Sequence, residues 1–105
     1  NSLDGLRKVL DLISTIQENG NPDLRFLRLL VNRVDRRTSV SRIIIEDLRT
    51  RFGSDKMFEN TIPSNTAFQQ AEYVRDTIFQ YSPSSRGAKA YRALAKEVIA
   101  IFNGD

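Results

Sequence analysis

The sequence predicts an α/β protein in which helices flank a parallel β-sheet. Two short apolar runs, at residues 26–34 and 58–62, are typical of strands buried on both faces. A segment with helical periodicity separates them, and strands joined through a helix pair in parallel with a right-handed crossover. Further helical segments before and after this unit complete an alternating order. At 105 residues the chain has the length of one domain.

The first half of the chain begins with a predicted helix over residues 3–18. Leucines and isoleucines recur there at helical spacing, and Gly20 followed by Pro22 ends the pattern. The first predicted strand follows at 26–34. Thr38 or Ser39 can cap the next helix, which Gly53 ends. The apolar stripe of that helix consists of Val40, Ile43, Ile44, Leu48 and Phe52.

The second half contains the second predicted strand, 58–62, which Pro63 closes. Residues 67–73 suggest a short helix, and residues 77–81 are predicted to be extended. Pro83-Ser84-Ser85 can open the last helix, whose apolar stripe runs from Tyr91 to Phe102.

The composition excludes several classes of site within these residues. The chain has no Cys and no His, so it offers no thiolate or imidazole ligand and no Ser–His or Cys–His nucleophile pair. Its five Gly are scattered, so there is no Gly-rich phosphate loop. No apolar run approaches the ~18–20 residues that span a bilayer. We therefore predict no catalytic set and no metal ligands in this chain.

Positive charge is concentrated in one part of the sequence. The net charge is only +3, yet residues 25–51 contain eight Arg and three acidic residues, a local excess of +5. Such a patch can attract a polyanion. A solvated surface with ion pairs explains the same composition. Charge alone does not distinguish this explanation from a patch that binds a polyanion.

The predicted topology indicates where a ligand would bind. In open parallel sheets, ligands bind beyond the carboxyl ends of the strands, where the loops 32–38 and 63–67 would lie together. The Asn32 amide can donate and accept side by side, as adenine N6 and N7 require, and Pro63 offers a flat apolar face. Alternatively, Asn32 satisfies its own loop and Pro63 merely ends a strand. Arg33, Arg36 and Arg37 could bind phosphates with little sequence specificity.

Several segments together resemble the C-terminal part of ParA-type partition ATPases, which carry a deviant Walker A motif. Ile62-Pro63-Ser64-Asn65 followed by Phe68-Gln69-Gln70-Ala71-Glu72 is similar to the "IPRN…SEA" segment of that family, and also to a segment of nitrogenase iron proteins. The other matching segments are Gly5-Leu6 with Leu10, Leu29-Leu30-Val31-Asn32-Arg33, Asp35-Arg36-Arg37-Thr38, and Tyr81 to Ala88 followed by Tyr91 and Leu94-Ala95-Lys96-Glu97.

The resemblance implies a fold, and it implies that the catalytic residues lie in another part of the protein. Residues 1–105 would form the C-terminal segment of a ParA-like ATPase domain, part of the parallel sheet of a Rossmann-like P-loop NTPase. In such proteins the P-loop and the Mg²⁺-linked Asp lie upstream of this segment. The complete protein, which we call the parent, would therefore hydrolyse ATP, while this segment lacks the catalytic residues. By resemblance, Asn32, Pro63, Ser64 and Asn65 would contact the adenine side of ATP. Glu72 would lie near the nucleotide-dependent dimer interface.

The resemblance also implies partners. They are nonspecific DNA, a centromere-binding ParB-like protein and, in the parent, a second copy in an ATP-dependent homodimer. The expected location is the bacterial cytoplasm, associated with the nucleoid and not with a membrane. By resemblance, Arg37 matches one DNA-binding Arg of the family, and we predict that Arg33, Arg36 and Arg42 in the same basic block bind DNA with it.

The sequence departs from the family pattern at three positions. Ser64 stands where the family usually has Arg or Lys, and Ser82 stands where it usually has Asp. A second family DNA-binding Arg falls on Ala67, which removes half of that correspondence.

Three alternative functions remain. The chain could belong to a MinD-like ATPase that positions structures at a membrane, since Lys89, Arg92 and Lys96 line the last helix. It could be a stand-alone, non-enzymatic module for DNA binding or protein interaction. A nitrogenase-like reductase is the weakest of the three. A P-loop in the upstream coding sequence would separate a truncated ATPase from a stand-alone module.

Overall fold

The computed structural model describes residues 2–104. Across this range the chain forms five α-helices and one short 3₁₀ helix, which lies between the second and third α-helices at Ser54–Lys56. The α-helices are α1 (Ser2–Asn19), α2 (Ser39–Phe52), α3 (Thr66–Tyr73), α4 (Ile78–Tyr81) and α5 (Arg86–Phe102).

Side-chain caps fix the helix starts that the sequence predicts. Thr38 Oγ1 accepts the Ser41 N–H at 3.2 Å at the start of α2, and Ser85 Oγ accepts the Ala88 N–H at 3.1 Å at the start of α5. Gly53, at φ +90°, follows the last residue of α2 as expected. The four predicted helices are thus present close to their predicted bounds.

Residues 77–81, predicted to be extended, instead contain helix α4. Thr77 and Gln80 explain this helix. Thr77 Oγ1 accepts the Gln80 N–H, and Gln80 Oε1 accepts the Thr77 N–H, so the two residues form a capping box. Aromatic and β-branched residues had favoured a strand, but a satisfied cap outweighs that weak preference.

The predicted α/β class with a parallel sheet is wrong for this structure. The described part of the chain is 62% helical and contains no strand or sheet. Within residues 2–104, parallel pairing occurs only at two isolated bridges, Leu29 with Met57 and Val34 with Pro63, and Met57 and Pro63 flank the predicted strand 58–62. We call residues 29–34 the first extended segment and residues 57–63 the second extended segment.

A change of register explains why no ladder forms. Between the two bridges the first extended segment advances by five residues and the second by six, so the second contains one extra residue. The first extended segment also lacks cover: Val34 is its one buried residue, and Leu27 just before it is 38% exposed. An apolar run becomes a strand buried on both faces only where other elements cover both faces.

The core lies around the second extended segment, α3 and the start of α5. Ile62 is 1% exposed and Ala88 is completely buried. The other buried apolar residues are Val34, Met57, Phe58, Ala67 and Ala71. In contrast, α1 and α2 contribute no buried side chain from the described residues, and Val9, Leu12 and Ile43 are more than half exposed.

The surface area and radius show that apolar surface stays uncovered. The radius of gyration is 15.9 Å, whereas a compact domain of about 100 residues has about 13 Å. The accessible surface is 7982 Å², whereas a folded monomer of 12.0 kDa exposes about 6,000 Å². The exposed apolar faces of α1 and α2 contribute to this excess of accessible surface. Within residues 2–104 no helix combines the length and apolarity needed to cross a bilayer.

Candidate functional site

A cleft of about 360 Å³ lies beyond the ends of the two extended segments. Although the segments form no sheet, their parallel direction brings their ends to the same side of the molecule. All five residues predicted for nucleotide contact or the dimer interface lie around this cleft. Its lining consists of Asn32, Arg33, Pro63, Ser64, Asn65, Phe68, Gln69, Glu72 and Tyr91.

Asn32 is oriented by its own loop. Its Oδ1 accepts the Arg33 N–H at 2.8 Å, and Arg33 adopts a left-handed backbone conformation at φ +57°. The loop interaction that the sequence offered as the simpler explanation is therefore present. An amide oxygen can accept two hydrogen bonds, and Nδ2 donates to no residue in the range 2–104. Asn32 thus keeps one acceptor position and two donors for a ligand.

Ser64 ties the two sides of the cleft together. Its N–H donates to the Val34 carbonyl at 3.0 Å, and its Oγ donates to the Arg33 carbonyl at 3.2 Å. Pro63 lies opposite Val34 at the second bridge, where the neighbouring residues make the hydrogen bonds and the missing N–H costs nothing. The loop after the second extended segment is therefore anchored to the end of the first extended segment.

Asn65 carries an unsatisfied polar atom at the cleft. It occupies the N-cap position of α3, but its side chain does not cap the helix. Its Oδ1 is buried, and no residue in the described range donates to it. A buried acceptor without a donor costs about 1–3 kcal/mol, so a turn of the Asn65 side chain that exposed this oxygen to a donor in the cleft would remove that cost.

An aromatic pair forms the far wall of the cleft. The rings of Phe68 on α3 and Tyr91 on α5 meet edge to face, with centroids 5.8 Å apart and planes at 89°. Sequence reasoning missed this wall because it interpreted Tyr91 as a packing residue. Gly87, one turn before Tyr91, could have revealed it, since the Phe68 ring occupies the space that a side chain at position 87 would need.

Glu72 is exposed at the rim of the cleft, on the last turn of α3. It also borders a second, more open cleft of about 450 Å³ between α3, α4 and α5, whose walls include Phe79 and Ile78. Glu72 therefore lies where a second molecule could reach it, as the dimer-interface prediction requires.

The four arginines predicted to bind DNA lie on one loop and the first turn of α2. Arg33 borders the cleft, and Arg36 Nη2 donates to Thr61 Oγ1 at 3.0 Å. Arg42 Nη1 donates to the Arg36 carbonyl at 3.3 Å, which holds the Arg42 guanidinium against the backbone of the loop. All four side chains are exposed.

Arg37 differs from the other three because Asp35 neutralises it. Its Nε and Nη2 each donate to the Asp35 carboxylate at 3.0 Å. The Arg37 side chain, followed by its backbone N–H, holds the pKa of the Asp35 carboxyl below its ordinary value. The charge of Arg86, at the start of α5, lowers this pKa further. Nothing in the amino-acid pattern indicated that neighbour.

The cleft brings polar groups and aromatic rings together. The cleft offers an amide, a hydroxyl, an unsatisfied acceptor and two rings, which suit a planar heterocycle with several donors and acceptors. Its volume is at the small end of ligand sites, which is enough for a base. In residues 2–104 no three acidic side chains lie close enough to hold a metal ion.

Comparison with known proteins identifies homologues along nearly the whole chain. It is 38% identical over 99 residues to the chromosome-partitioning ATPase Soj of Thermus thermophilus, and 35% identical over 99 residues to the sporulation initiation inhibitor protein Soj of Bacillus subtilis. It is 31% identical over 99 residues to the chromosome partitioning protein ParA of Caulobacter vibrioides. Each match covers 94% of this chain.

The resemblance to ParA-type partition ATPases is therefore confirmed. The chain spans 39% of the length of each Soj protein and 37% of the Caulobacter ParA, so it corresponds to about two-fifths of these relatives. No protein-family model matches the chain.

Proposed function

We propose that this chain is the C-terminal segment of a ParA-type partition ATPase and supplies the base side of its nucleotide site and a basic surface for nonspecific DNA. One observation carries this proposal: residues about 30 positions apart in sequence, Asn32 and Pro63 to Asn65, converge on one cleft beside an arginine-rich loop. The phosphate chemistry and Mg²⁺ would depend on residues outside this chain. The exposed apolar faces of α1 and α2 would pack against that remainder.

The cleft residues would divide the recognition of an adenine ring. Asn32 Nδ2 would donate to a ring nitrogen, and its free acceptor position would take an exocyclic N–H. Asn65 Oδ1, turned toward the cleft, would accept a further N–H and so be relieved of its burial penalty. Pro63 and the Phe68–Tyr91 pair would contact the ring faces. ATP, when bound by the whole protein, supplies the triphosphate that is cleaved.

An adenosine titration tests the base site without any phosphate contribution. Adenosine added to the ¹⁵N-labelled chain should shift the amide signals of Asn32 and Ser64, and guanosine should shift them at least fivefold less. Asn32→Ala should abolish the difference. Asn19→Ala is the matched control, because the Asn19 amide makes only a local bond to the Thr15 carbonyl on α1. Equal responses to both nucleosides, or a response that Asn32→Ala leaves unchanged, would contradict the site.

DNA binding should depend more on Arg36 than on Arg37. Arg36 donates to a neutral hydroxyl, so its charge is available to a phosphate, whereas the Asp35 carboxylate already pairs with Arg37. That ion pair is exposed, so breaking it costs little and Arg37 can still contribute to binding. Arg33 and Arg42 would extend the same surface.

Fluorescence anisotropy with short duplexes of unrelated sequence tests the DNA surface. Arg36→Glu combined with Arg37→Glu should weaken binding to every duplex and flatten the salt dependence, by a slope of about 0.9 for each phosphate that is no longer neutralised. Arg7→Glu combined with Lys8→Glu on α1, outside the loop, is the charge-matched control. An unchanged salt slope in the double variant would refute the surface. Binding to anionic lipid vesicles instead of DNA would favour the MinD-like alternative, for which the exposed Ile99 and Phe102 on α5 are the candidate membrane-facing residues.

In the whole protein, a ParB-like protein and a second copy of the ATPase are the proposed partners. Glu72 at the rim of the cleft is the residue that we assign to the copy–copy interface. The proposed location is the cytoplasm, on the nucleoid.

A further inference from the structure

One carboxylate on the last helix holds the middle of the second extended segment. Glu97 Oε2 accepts the Glu59 N–H at 2.8 Å. Glu97 Oε1 accepts the Asn60 N–H at 3.1 Å and Asn60 Nδ2 at 2.7 Å. Three donors from two adjacent residues thus converge on a side chain nearly 40 positions later in the sequence. Neither the cleft nor the arginine loop includes Glu97.

The residues held by Glu97 lie in the part of the second extended segment that contains the extra residue. The Met57 bridge precedes them and the Pro63 bridge follows them, and between these bridges the register changes by one residue. Ile62 resumes pairing with a bond from its N–H to the Val31 carbonyl at 3.0 Å. The N–H groups of Glu59 and Asn60 point to α5 instead of the first extended segment. Glu97 therefore satisfies the two backbone donors that this bulge would otherwise leave without partners.

The register after the bulge decides which residues face the cleft. With the bulge, Val34 lies opposite Pro63, and Ser64 donates to the carbonyls of Val34 and Arg33. Without it, continuation of the first register would bring Ile62 opposite Val34. A slip of one residue moves every following side chain to the other face, so the buried Ile62 would exchange its environment with its neighbours.

The protonation of Glu97 agrees with this bonding. Partial burial raises the pKa of its carboxyl, but the Asn60 side chain and the N–H groups of Glu59 and Asn60 lower it further than burial raises it. The charge of Arg28, just before the first extended segment, adds to the lowering. The net effect is a pKa below the ordinary value, so the carboxylate is the bound form.

We propose that Glu97 is a positioning residue that holds the one-residue bulge and thereby sets the register at which Pro63 and Ser64 face Asn32. The effect on a ligand rests on the proposed function, whereas the effect on register does not. Removing the carboxylate leaves two backbone donors unsatisfied, and pairing in the regular register would give the Asn60 N–H a partner in the first extended segment. The bulge and the cleft that follows it should then disappear together.

Nuclear magnetic resonance of Glu97→Gln tests the register directly. Glutamine keeps the size but replaces one acceptor oxygen by a donor that faces the incoming N–H groups. Amide exchange at Glu59 and Asn60 should become at least tenfold faster. The nuclear Overhauser effect between the Val34 amide and Pro63 should vanish, and adenosine binding should weaken at least fivefold. Glu46→Gln on the exposed face of α2 removes the same charge and should change none of these.

The outcomes separate this proposal from the proposed function. If Glu97→Gln keeps the Val34–Pro63 proximity and the slow amide exchange of the Glu46→Gln control, the positioning role is refuted. A changed register in a chain that never binds adenosine would support the role of Glu97 and refute the base site alone.

If Glu97→Gln does not fold, a pH titration of the native chain tests the proposal instead. The Glu59 and Asn60 amide protons should shift together as pH falls, with one midpoint below that of an ordinary glutamate. Amide shifts that do not follow a common carboxyl titration would overturn the proposal.

Discussion

Replacing Gly87 by alanine tests how closely α5 packs on α3. A Cβ atom at position 87 would lie 2.5 Å from Cζ of Phe68 and 2.9 and 3.0 Å from its two Cε atoms. Ordinary contact begins near 3.4 Å, so the ring must move by roughly 1 Å. Inserting a methyl group into a packed site costs about 1–3 kcal/mol. Alanine recovers about 0.5–1 kcal/mol through its better helix propensity, which leaves a net loss of about 0.5–2 kcal/mol.

Gly5→Ala is the matched control for this change. Gly5 also lies in a helix, and nothing lies within 4 Å of a Cβ atom built there. We expect this variant to gain about 0.5–1 kcal/mol from helix propensity alone. The difference between the two variants therefore isolates the steric cost at Gly87, about 1–3 kcal/mol.

Urea denaturation followed by far-ultraviolet circular dichroism measures both variants. With a slope of about 1–2 kcal/mol/M, the two midpoints should lie roughly 1 M apart. Adding Phe68→Leu to Gly87→Ala should recover most of the loss, because leucine lacks the ring atoms that meet the new methyl group. A double-mutant cycle should then show a coupling of about 1 kcal/mol or more. If Gly87→Ala is as stable as Gly5→Ala, the close approach of α5 to the Phe68 ring is refuted.

Three further changes test the core, the bulge and a helix cap. Ile62→Ala, at the most deeply buried large side chain, should cost about 2–5 kcal/mol and Ile62→Val about 0.5–1.5 kcal/mol in denaturant, and equal losses would contradict that burial. Because the folded-state pKa of Glu97 is lowered, its contribution should be present above the ordinary value of 4.5 and lost as pH falls through the lowered pKa. The stability gap between the native chain and Glu97→Gln should therefore close in acid, and a gap constant with pH would refute this. Ser85→Ala should cost about 1 kcal/mol and Ser85→Gly only a few tenths in thermal unfolding, whereas no effect of alanine would exclude the cap on α5.

The helices were predictable because their signals are local. Apolar spacing, Thr38, Ser85 and Gly53 act over three or four residues, and each acts as expected in the structure. Helix α4 was missed because its Thr77–Gln80 capping box spans only four residues of an otherwise strand-like sequence. Signals within one turn can therefore be interpreted from sequence without knowledge of the rest of the fold.

The lack of a sheet in residues 2–104 was not predictable because strand pairing depends on distant partners. An apolar run such as residues 26–34 indicates a buried strand only if other elements cover it, and here most of the run is half-buried or exposed. The change of register depends on Glu97, which lies far along the chain from the bulge. No local pattern at residues 57–63 predicts the extra residue of the bulge.

The cleft was predictable in part, because the part that depends only on the direction of the two extended segments could be inferred from the sequence. Asn32, Pro63, Ser64 and Asn65 follow segments that run in the same direction, so their approach required only parallel pairing, which two bridges provide. The aromatic wall required the packing of α5 on α3, and the neutralised Arg37 required the position of Asp35 in the folded loop. Contacts between helices and ion pairs depend on the folded structure, so the sequence pattern alone did not predict them.

The two parallel bridges also impose an order on folding. Their partners are 28 and 29 positions apart, so forming either bridge closes a loop that contains all of α2. Closing a flexible loop of that length costs roughly 3 kcal/mol in entropy before any pairing is gained. A preformed α2 shortens the flexible part of that loop, and helices form faster than distant pairings. We therefore expect α2 to be structured in the transition state, so that Thr38→Ala, which removes its cap, slows refolding more than it speeds unfolding.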